Sequence, residues 1–245
     1  MLRFMFVGDS MTIGSAGEHT WRYRMWQHLR ATLGPEGAAV VGPRTALYDK
    51  ATGEPLSHDY ASDVPLEFPR HHLAGWGEGW LHMAPQIADA LQRDPADVLL
   101  ISLGLIDLGF YTNADQTTAN VRAFVTAARS ANPHVRMVLL PVIPNIRAES
   151  DAPFAAEVSH FNELLAKTVA DLDTSASPLL LASPPLSYDI HVDTYDGTHP
   201  NASGEHKLAA AFATALSQAW GIGGPGGAAL AGDGTAPPSE VPSNP

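Results

Sequence analysis

Three things are missing or scarce in this sequence of 245 residues: cysteine, basic side chains and long apolar runs. The absence of cysteine excludes disulfides, thiolate metal ligands and a cysteine nucleophile. Only 14 lysines and arginines stand against 26 aspartates and glutamates, so the formal charge is −12 and phosphate backbones and anionic lipids are repelled. We therefore expect neither nucleic acid nor a membrane as a partner.

The apolar runs are short. The first, residues 4–7, is interrupted by Gly8 and Asp9 and is too short for the core of a secretion signal. No run approaches the length of a membrane span. The sequence thus predicts a cytoplasmic protein, with the alternative that a signal peptide was removed beforehand and left no trace.

Five mainly apolar runs are typical of strands that are buried on both faces of a parallel sheet. They are residues 3–7, 38–41, 97–103, 135–142 and 177–183. Amphipathic helical patterns lie between and after these runs, at 21–33, about 80–91, 115–131, 152–172 and 203–220. The alternation of strand and helix predicts an α/β fold, a doubly wound sheet of about five parallel strands.

Two segments depart from this alternation. Residues 42–78 form a long connection rich in glycine, proline, aspartate and histidine, and connections of this length in a compact domain are usually functional or mobile. This one could form a lid over a site. Residues 221–245 are rich in glycine and proline and have too little apolar content to fold, so we predict a disordered tail after a single domain.

A serine stands directly after the first predicted strand, in the segment GDSMTIG of residues 8–14. In open α/β sheets ligands bind beyond the carboxyl ends of the strands, which is where Ser10 should lie. A serine at this place either caps a turn or acts as a nucleophile. The second role requires a base that takes its proton and a carboxylate that orients the base. The segment DTYDGTHP, residues 193–200, supplies such a pair in Asp196 and His199.

Together, GDSMTIG near the start and DGTHP before the last helix resemble blocks I and V of the SGNH hydrolases, the GDSL esterases and lipases. The resemblance covers residues 1 to about 220 and implies one catalytic domain of a flavodoxin-like, three-layer α/β/α fold. It also implies ester hydrolysis, a small-molecule ester as the binding partner, and no cofactor. By this resemblance Ser10 is the nucleophile, His199 is the general base and later acid, and Asp196 orients His199.

The family stabilises the oxyanion with three hydrogen-bond donors. Two are backbone N–H groups, from the block I serine, here Ser10, and from a block II glycine. The resemblance assigns the glycine to Gly79 in the segment AGWGEGW, with Gly77 and Gly75 as alternatives. A simple glycine turn is an equally open interpretation of this segment.

The third donor, the amide of a block III asparagine in Gly-x-Asn-Asp, has no counterpart in the matching segment GLID of residues 104–107. Ile106 stands at that position, and its side chain cannot donate a hydrogen bond. Losing one such donor typically costs about 10²–10³ in rate, so we expect a weakened site. Asn145, after the fourth predicted strand, is a candidate replacement, although a turn also explains it. Asp107 is expected to brace the loops of the site.

Three aromatic residues lie close to the predicted site in the sequence. Trp76 and Trp80 either contact a sugar ring or acyl group or anchor the core, and Tyr195 either lines the pocket or packs under the last helix. Several histidines lie in or near the long connection, but their spacing matches no metal site, and we predict none: His58, His71, His72 and His82.

These observations predict a serine carboxylic-ester hydrolase that forms an acyl-enzyme with a small acyl ester, such as an O-acetylated carbohydrate or metabolite. Two alternatives remain open. One is an acyltransferase of the same fold that moves an acyl group to a small-molecule alcohol or amine. The other is a binding module without catalysis, which the isoleucine in block III would favour. The oligomeric state is not predicted.

Overall fold

A computed structural model of the chain describes residues 1–224. The predicted tail at 221–245 therefore lies outside the described residues, except for its first four positions. Within the described part, the strands are β1 (Leu2–Gly8), β2 (Ala38–Val40), β3 (Leu47–Asp49), β4 (Glu54–Ser57), β5 (Leu73–Ala74), β6 (Val98–Ser102), β7 (Arg136–Leu140) and β8 (Leu179–Leu181).

The helices of the same part vary from one turn to six turns. They are α1 (Ser10–Ile13), α2 (Trp21–Leu33), α3 (Trp80–Met83), α4 (Ile87–Arg93), α5 (Ala114–Ala131), α6 (Arg147–Ser150), α7 (Ala152–Leu172), α8 (Ile190–Asp193) and α9 (Ala202–Trp220), with a π-helical turn at Asp107–Tyr111.

The main sheet has the order β2-β1-β6-β7-β8, and all of these strands run parallel. Numbered by position among these five, the order is 2-1-3-4-5, that of flavodoxin-like doubly wound sheets. The predicted α/β fold is thus confirmed. The short strand β5 pairs with β1 beyond the end of β2, with Val7 opposite Leu73 and Gly8 opposite Ala74. This pairing brings the segment after β5 to the carboxyl end of β1.

Helices cover both faces of the sheet and bury its apolar side chains. On one face α2 packs against α9, where Trp21 stacks on Phe212 at a ring-centroid distance of 4.8 Å. Phe6 of β1 meets the same indole edge-on at 5.2 Å. On the other face α5 packs against α4 and α7, and Phe124 and Phe161 are fully buried there. Such interlocking aromatic packing supplies much of the apolar burial that stabilises the fold.

Two local predictions differ from the structure. The predicted helix at 80–91 is divided into α3 and α4, because Pro85 lies between them and a proline has no N–H for the helical ladder. The long connection at 42–78 contains the antiparallel pair β3–β4 and the strand β5. The sequence did not predict these strands.

Candidate active site

The nucleophile candidate lies at a tight turn after β1. Ser10 begins α1, and the carboxylate of the preceding Asp9 caps this helix by accepting the Met11 N–H at 3.0 Å. A Cβ atom on Gly8 would collide with the Thr12 side chain, so this position requires a glycine. The turn leaves the Ser10 hydroxyl at the carboxyl edge of the sheet.

Ser10, His199 and Asp196 form a continuous chain of hydrogen bonds. The Ser10 Oγ atom lies 3.0 Å from His199 Nε2, and His199 Nδ1 lies 2.7 Å from Asp196 Oδ2. Because a carboxylate accepts the Nδ1–H, Nε2 is left with its lone pair toward the hydroxyl. The structure therefore brings the three predicted triad residues together in the geometry of nucleophile, base and orienting acid.

Asp196 is held in its ionised form. Burial raises the pKa of Asp196, but hydrogen bonds from the backbone and ring of His199 outweigh burial and lower it below the ordinary value. Its second oxygen, Oδ1, accepts the N–H of His199 at 2.7 Å and the N–H of Thr198 at 3.0 Å. One carboxylate thus fixes both the loop and the imidazole.

The segment just before α6 holds the loop that carries Asp196 and His199. The Ile146 N–H donates to the Gly197 carbonyl at 2.8 Å, and the Asn145 Nδ2 atom donates to Thr198 Oγ1 at 3.1 Å. Gly197 has a φ of +81°, and a Cβ atom there would collide with the Ile146 side chain. The loop therefore needs glycine at this position for two independent reasons.

Aromatic rings cover the imidazole of His199. Trp76 lies near-parallel to it, with a centroid distance of 4.7 Å and an interplanar angle of 15°. Tyr195 lies at 5.7 Å and 16°. Trp76 also stacks on Tyr48 at 3.9 Å, and the Lys50 Nζ atom is 4.1 Å from the centroid of the Tyr195 ring.

Asp107 braces the segment that precedes and begins α3, as the family resemblance implies. Its side chain is fully buried, and its two oxygens accept the N–H groups of Trp80 at 2.8 Å and Leu81 at 3.1 Å. Burial raises the pKa of Asp107, whereas these two hydrogen bonds lower it. A Cβ atom on Gly79 would collide with the carboxylate, so a glycine is needed where the segment passes Asp107.

The glycines proposed as oxyanion donors have different surroundings. The Gly79 N–H donates to His82 Nδ1 at 3.1 Å, so its predicted role requires that this bond opens. The Gly75 N–H donates to the carbonyl at the end of β1. Gly77 lies in the wall of the cavity that contains Ser10, and within residues 1–224 its N–H makes no backbone hydrogen bond. Gly77 therefore combines a place in the cavity wall with an N–H that no backbone carbonyl of residues 1–224 accepts.

A cavity of about 390 Å³ opens beside Ser10 and His199. Its walls are mainly apolar and include Trp76, Ile106, Phe110, Tyr111, Asn145 and Phe154. The exposed fractions of Phe110 and Tyr111 are 78% and 51%, so two aromatic rings stand at its rim in contact with solvent. The predicted substrate contacts Trp76, Ile106 and Asn145 therefore line this cavity, whereas Tyr195 lies against His199.

Trp80 is the exception among the predicted contacts. Its side chain is fully buried, and it meets Phe124 of α5 edge-on at 5.2 Å. A residue without exposed surface cannot touch a substrate, so this prediction is corrected in favour of a core anchor. The rim residues Phe110 and Tyr111 were missed, because they lie in a π-helical turn that has no signal in the hydrophobic pattern.

Two further polar groups near Ser10 are buried. Burial raises the pKa of Asp9 to about 7, and the nearby Asp107 adds to this effect, whereas the hydrogen bond from Met11 opposes it. The amide oxygen of Asn145 is buried and finds no hydrogen-bond partner within the described chain.

His72, in the long connection, has a local structural role. His72 is buried, and burial holds its pKa well below the usual value. Its Nδ1 accepts the Ala74 N–H at 3.0 Å, and its Nε2 lies 3.0 Å from the Ala46 carbonyl. Among residues 1–224 no group of three histidine, aspartate or glutamate side chains is placed to hold a metal ion. None of the helices described here is long and apolar enough to cross a membrane.

Comparison with solved structures supports the assignment of the fold. A family 3 carbohydrate esterase from Talaromyces cellulolyticus superposes with a TM-score of 0.72 at 24% identity, covering 89% of this chain and 97% of the other. An acetyl esterase mutant with an acetate ion gives 0.71 at 24% identity with the same coverage. A catalytic mutant of an acetylxylan esterase from Geobacillus stearothermophilus gives 0.62 at 14%, covering 88% and 94%. At these identities the likeness establishes the fold.

Sequence comparison supplies the family. A multidomain esterase of Ruminococcus flavefaciens is 23% identical over 216 residues, which are 84% of this chain and 27% of that protein. The chain thus spans about a quarter of the length of that relative. The model of the GDSL-like lipase/acylhydrolase family matches residues 6–207, most of the chain. The protein therefore belongs to the GDSL-like lipase/acylhydrolase family, the SGNH hydrolases.

Proposed function

We propose that this protein is a serine carboxylic-ester hydrolase that forms an acyl-enzyme on Ser10. The observation that carries the proposal is the hydrogen-bond chain from Ser10 through His199 to Asp196, with distances of 3.0 and 2.7 Å. A hydroxyl in this arrangement can be deprotonated as it attacks, whereas an isolated serine is a weak nucleophile at neutral pH. Membership of a family of lipases and acylhydrolases supports the same chemistry.

The reaction proceeds in two halves. His199 takes the proton from Ser10 Oγ while the oxygen attacks the ester carbonyl, and the ionised Asp196 stabilises the resulting imidazolium. His199 then gives this proton to the departing alcohol, which leaves the acyl group on Ser10. In the second half His199 removes a proton from water while the water oxygen attacks the acyl carbon. The bond from this carbon to Ser10 Oγ then breaks, His199 returns the proton to Ser10 Oγ, and the acyl group leaves as a carboxylic acid.

The oxyanion is stabilised by backbone donors in this proposal. The N–H of Ser10 is one, and either Gly77 or Gly79 supplies the other. Gly77 lines the cavity and its N–H donates to no backbone carbonyl of residues 1–224, while Gly79 must first lose its bond to His82. Asn145 lines the same cavity and could add a side-chain donor in place of the asparagine that Ile106 replaces, provided that its amide turns away from Thr198.

The substrate in this proposal is a small acyl ester of a carbohydrate. Structural neighbours of the same fold include an acetyl esterase, a carbohydrate esterase and an acetylxylan esterase. The cavity of about 390 Å³ has room for a short acyl group with one sugar ring. The exposed rings of Phe110 and Tyr111 at its rim offer apolar faces on which a sugar can pack.

Acyl transfer is the second candidate, and the apolar rim favours it. Phe110 and Tyr111 could hold an alcohol acceptor and exclude water from the acyl-enzyme. Product analysis separates the two activities. The protein is incubated with 4-nitrophenyl acetate and added glycerol or methyl xyloside. A hydrolase gives acetate as the main product, whereas a transferase gives a new acetyl ester of the added alcohol.

Intact-mass analysis after exposure to a fluorophosphonate tests whether Ser10 is activated. We expect one adduct on the unmodified protein and on Ser130→Ala, which removes an exposed serine of α5, and none on Ser10→Ala. Release of acetate from acetylated xylooligosaccharides then tests the substrate class. If the protein with Ser10 intact gives no adduct, the hydrolase proposal is wrong and the binding-module alternative takes its place.

A further inference from the structure

We propose that Trp76 and Tyr195 are positioning residues, which stack on the His199 ring and stabilise the imidazolium that forms when Ser10 attacks. This inference rests on the proposed function, because it concerns the charge state that the base acquires during that reaction. It gives two predicted substrate contacts a different role. Both rings stack on His199, and Trp76 also lines the cavity.

The geometry suits a stabilised cation. The centroids of Trp76 and Tyr195 lie 4.7 and 5.7 Å from that of His199, and both rings are within 16° of parallel to it. A cation within about 6 Å of an aromatic centroid is attracted by the negative face of the ring, most strongly for tryptophan. Both contacts meet this condition once His199 carries its second proton.

The imidazole of His199 has one set of partners at its nitrogens and another at its faces. Asp196 and Ser10 occupy its two nitrogens in the plane of the ring. The aromatic rings approach the faces, which hydrogen bonds cannot reach. The carboxylate and the π systems therefore act on the same cation from different directions, and neither replaces the other.

Trp76 is held from behind by a separate part of the chain. Tyr48 of β3 stacks on it at 3.9 Å with an interplanar angle of 12°. The backbone of Tyr48 is in turn fixed by bonds of its N–H to the Gly14 carbonyl and of its carbonyl to the Ala16 N–H, both 2.9 Å. The hairpin β3–β4 thus keeps the indole in place before any substrate binds, which favours preorganisation.

The charged groups around the stack make Trp76 the stronger contributor. The Lys50 ammonium lies 4.1 Å from the centroid of Tyr195 and competes with His199 for the π electrons of that ring. Burial raises the pKa of the Tyr195 hydroxyl and outweighs the hydrogen bond with Ser15, which lowers it; the Glu18 carboxylate adds to the rise, so this ring stays neutral. Arg147 lines the same cavity, but Asp151 balances its charge at 2.9 Å.

The test compares two substitutions of one residue, Trp76→Phe and Trp76→Leu. Phenylalanine keeps an aromatic face and leucine removes it, while all surrounding charges stay the same. The readout is the second-order rate constant for phosphorylation of Ser10 by diisopropyl fluorophosphate, which releases fluoride, between pH 5 and 9. This small reagent depends little on the sugar-binding part of the cavity.

We expect Trp76→Leu to lower this rate constant at pH 8 by about 2- to 30-fold, the factor that corresponds to 0.5–2 kcal/mol. The acidic midpoint of the rate profile should move to lower pH by about 0.4 to 1.5 pH units. Trp76→Phe should lie between Trp76→Leu and the unmodified protein in both measurements. Equal losses in the two variants, or an unchanged midpoint in Trp76→Leu, would overturn the proposal.

Phe110→Leu is the matched control. It removes a ring from the same cavity, and within residues 1–224 the ring of Phe110 makes no stacking contact with His199. We expect this variant to change the KM for ester substrates and to leave the acidic midpoint where it is. A midpoint that moves as far in Phe110→Leu as in Trp76→Leu would show a general effect of cavity polarity and refute the stack.

A second measurement separates this inference from the proposed function. The titration of His199 is followed by NMR in Ser10→Ala and in Ser10→Ala/Trp76→Leu, which needs no catalysis. We expect the midpoint to lie at lower pH in the double variant. If the His199 midpoint moves but the unmodified protein does not react with diisopropyl fluorophosphate, the hydrolase proposal fails. The inference that Trp76 stabilises the charged His199 ring is then still supported. If Ser10 reacts but the His199 midpoint is the same in both variants, the inference about Trp76 is refuted and the hydrolase proposal is not.

Discussion

Asp9 is a buried carboxyl group next to Ser10, the proposed nucleophile, and Asp9→Asn tests how much its burial changes the free energy of unfolding. The side chain is 2% exposed, and burial raises its pKa from the ordinary 3.8 to about 7. The folded protein therefore binds a proton more tightly than the unfolded chain does. The stabilisation from this proton is fully present below pH 4 and is lost as the pH rises to about 7.

The magnitude follows from the pKa difference. A difference of about 3 at 1.36 kcal/mol per pKa unit corresponds to about 4 kcal/mol between pH 4 and pH 7. The amide that Asp9→Asn introduces cannot ionise, yet its oxygen can still accept the Met11 N–H that the carboxylate accepts now. We therefore expect the unfolding free energy of Asp9→Asn, minus that of the unmodified protein, to rise with pH in this range. The slope should be up to about 1.4 kcal/mol per pH unit.

Urea unfolding at half-unit steps from pH 4.5 to 9, followed by far-UV circular dichroism, measures this difference. The difference should grow up to about pH 7 and then stay constant. Asp59→Asn, which removes an exposed carboxylate, serves as the control and should give a curve parallel to that of the unmodified protein. Parallel curves for Asp9→Asn, or a gain that falls with pH, would refute the reasoning from burial.

Three further substitutions test other parts of the site. Asp196→Asn should lower ester turnover by about 10³–10⁴-fold with little change in stability, because His199 loses the partner that fixes its tautomer; steady-state kinetics measures it, and a loss under tenfold contradicts the triad. Ile106→Asn should raise kcat by up to about 10²-fold if position 106 is a missing oxyanion donor; unchanged or lower turnover rejects that idea. Asp107→Ala leaves two backbone N–H groups unpaired and should destabilise the fold by about 2–5 kcal/mol in urea unfolding, with no change expected in the exposed control Asp59→Asn.

The fold was predictable because its signals are local. Each central strand is a continuous apolar run, and α2, α5, α7 and α9 carry apolar faces bounded by caps such as Thr20 and Asn113. The hairpin β3–β4 has no comparable signal, because β4 is largely exposed and contains a proline. The division of the helix after Trp80 was readable at Pro85, and the prediction passed over that signal.

The site was predictable only as far as its motifs reach. Ser10, Asp196 and His199 stand in segments that resemble family blocks, and the structure brings them together. The contact of Trp76 with His199 depends on where two distant loops meet, which no spacing in the sequence encodes. The bond from Gly79 to His82 likewise depends on a ring orientation. Contacts of this kind, between residues far apart in the sequence, are known only from a three-dimensional structure.

The hydrogen bond between Ser10 and His199 joins positions 189 residues apart. During synthesis Ser10, the proposed nucleophile, leaves the ribosome early, whereas His199, the proposed base, follows only after the five strands of the main parallel sheet have been made. Contacts of such long range form late in folding because loop closure is costly. If the proposed mechanism holds, a fragment that ends before His199 is chemically silent, and ester turnover in a refolding experiment reports the moment at which these two distant segments meet.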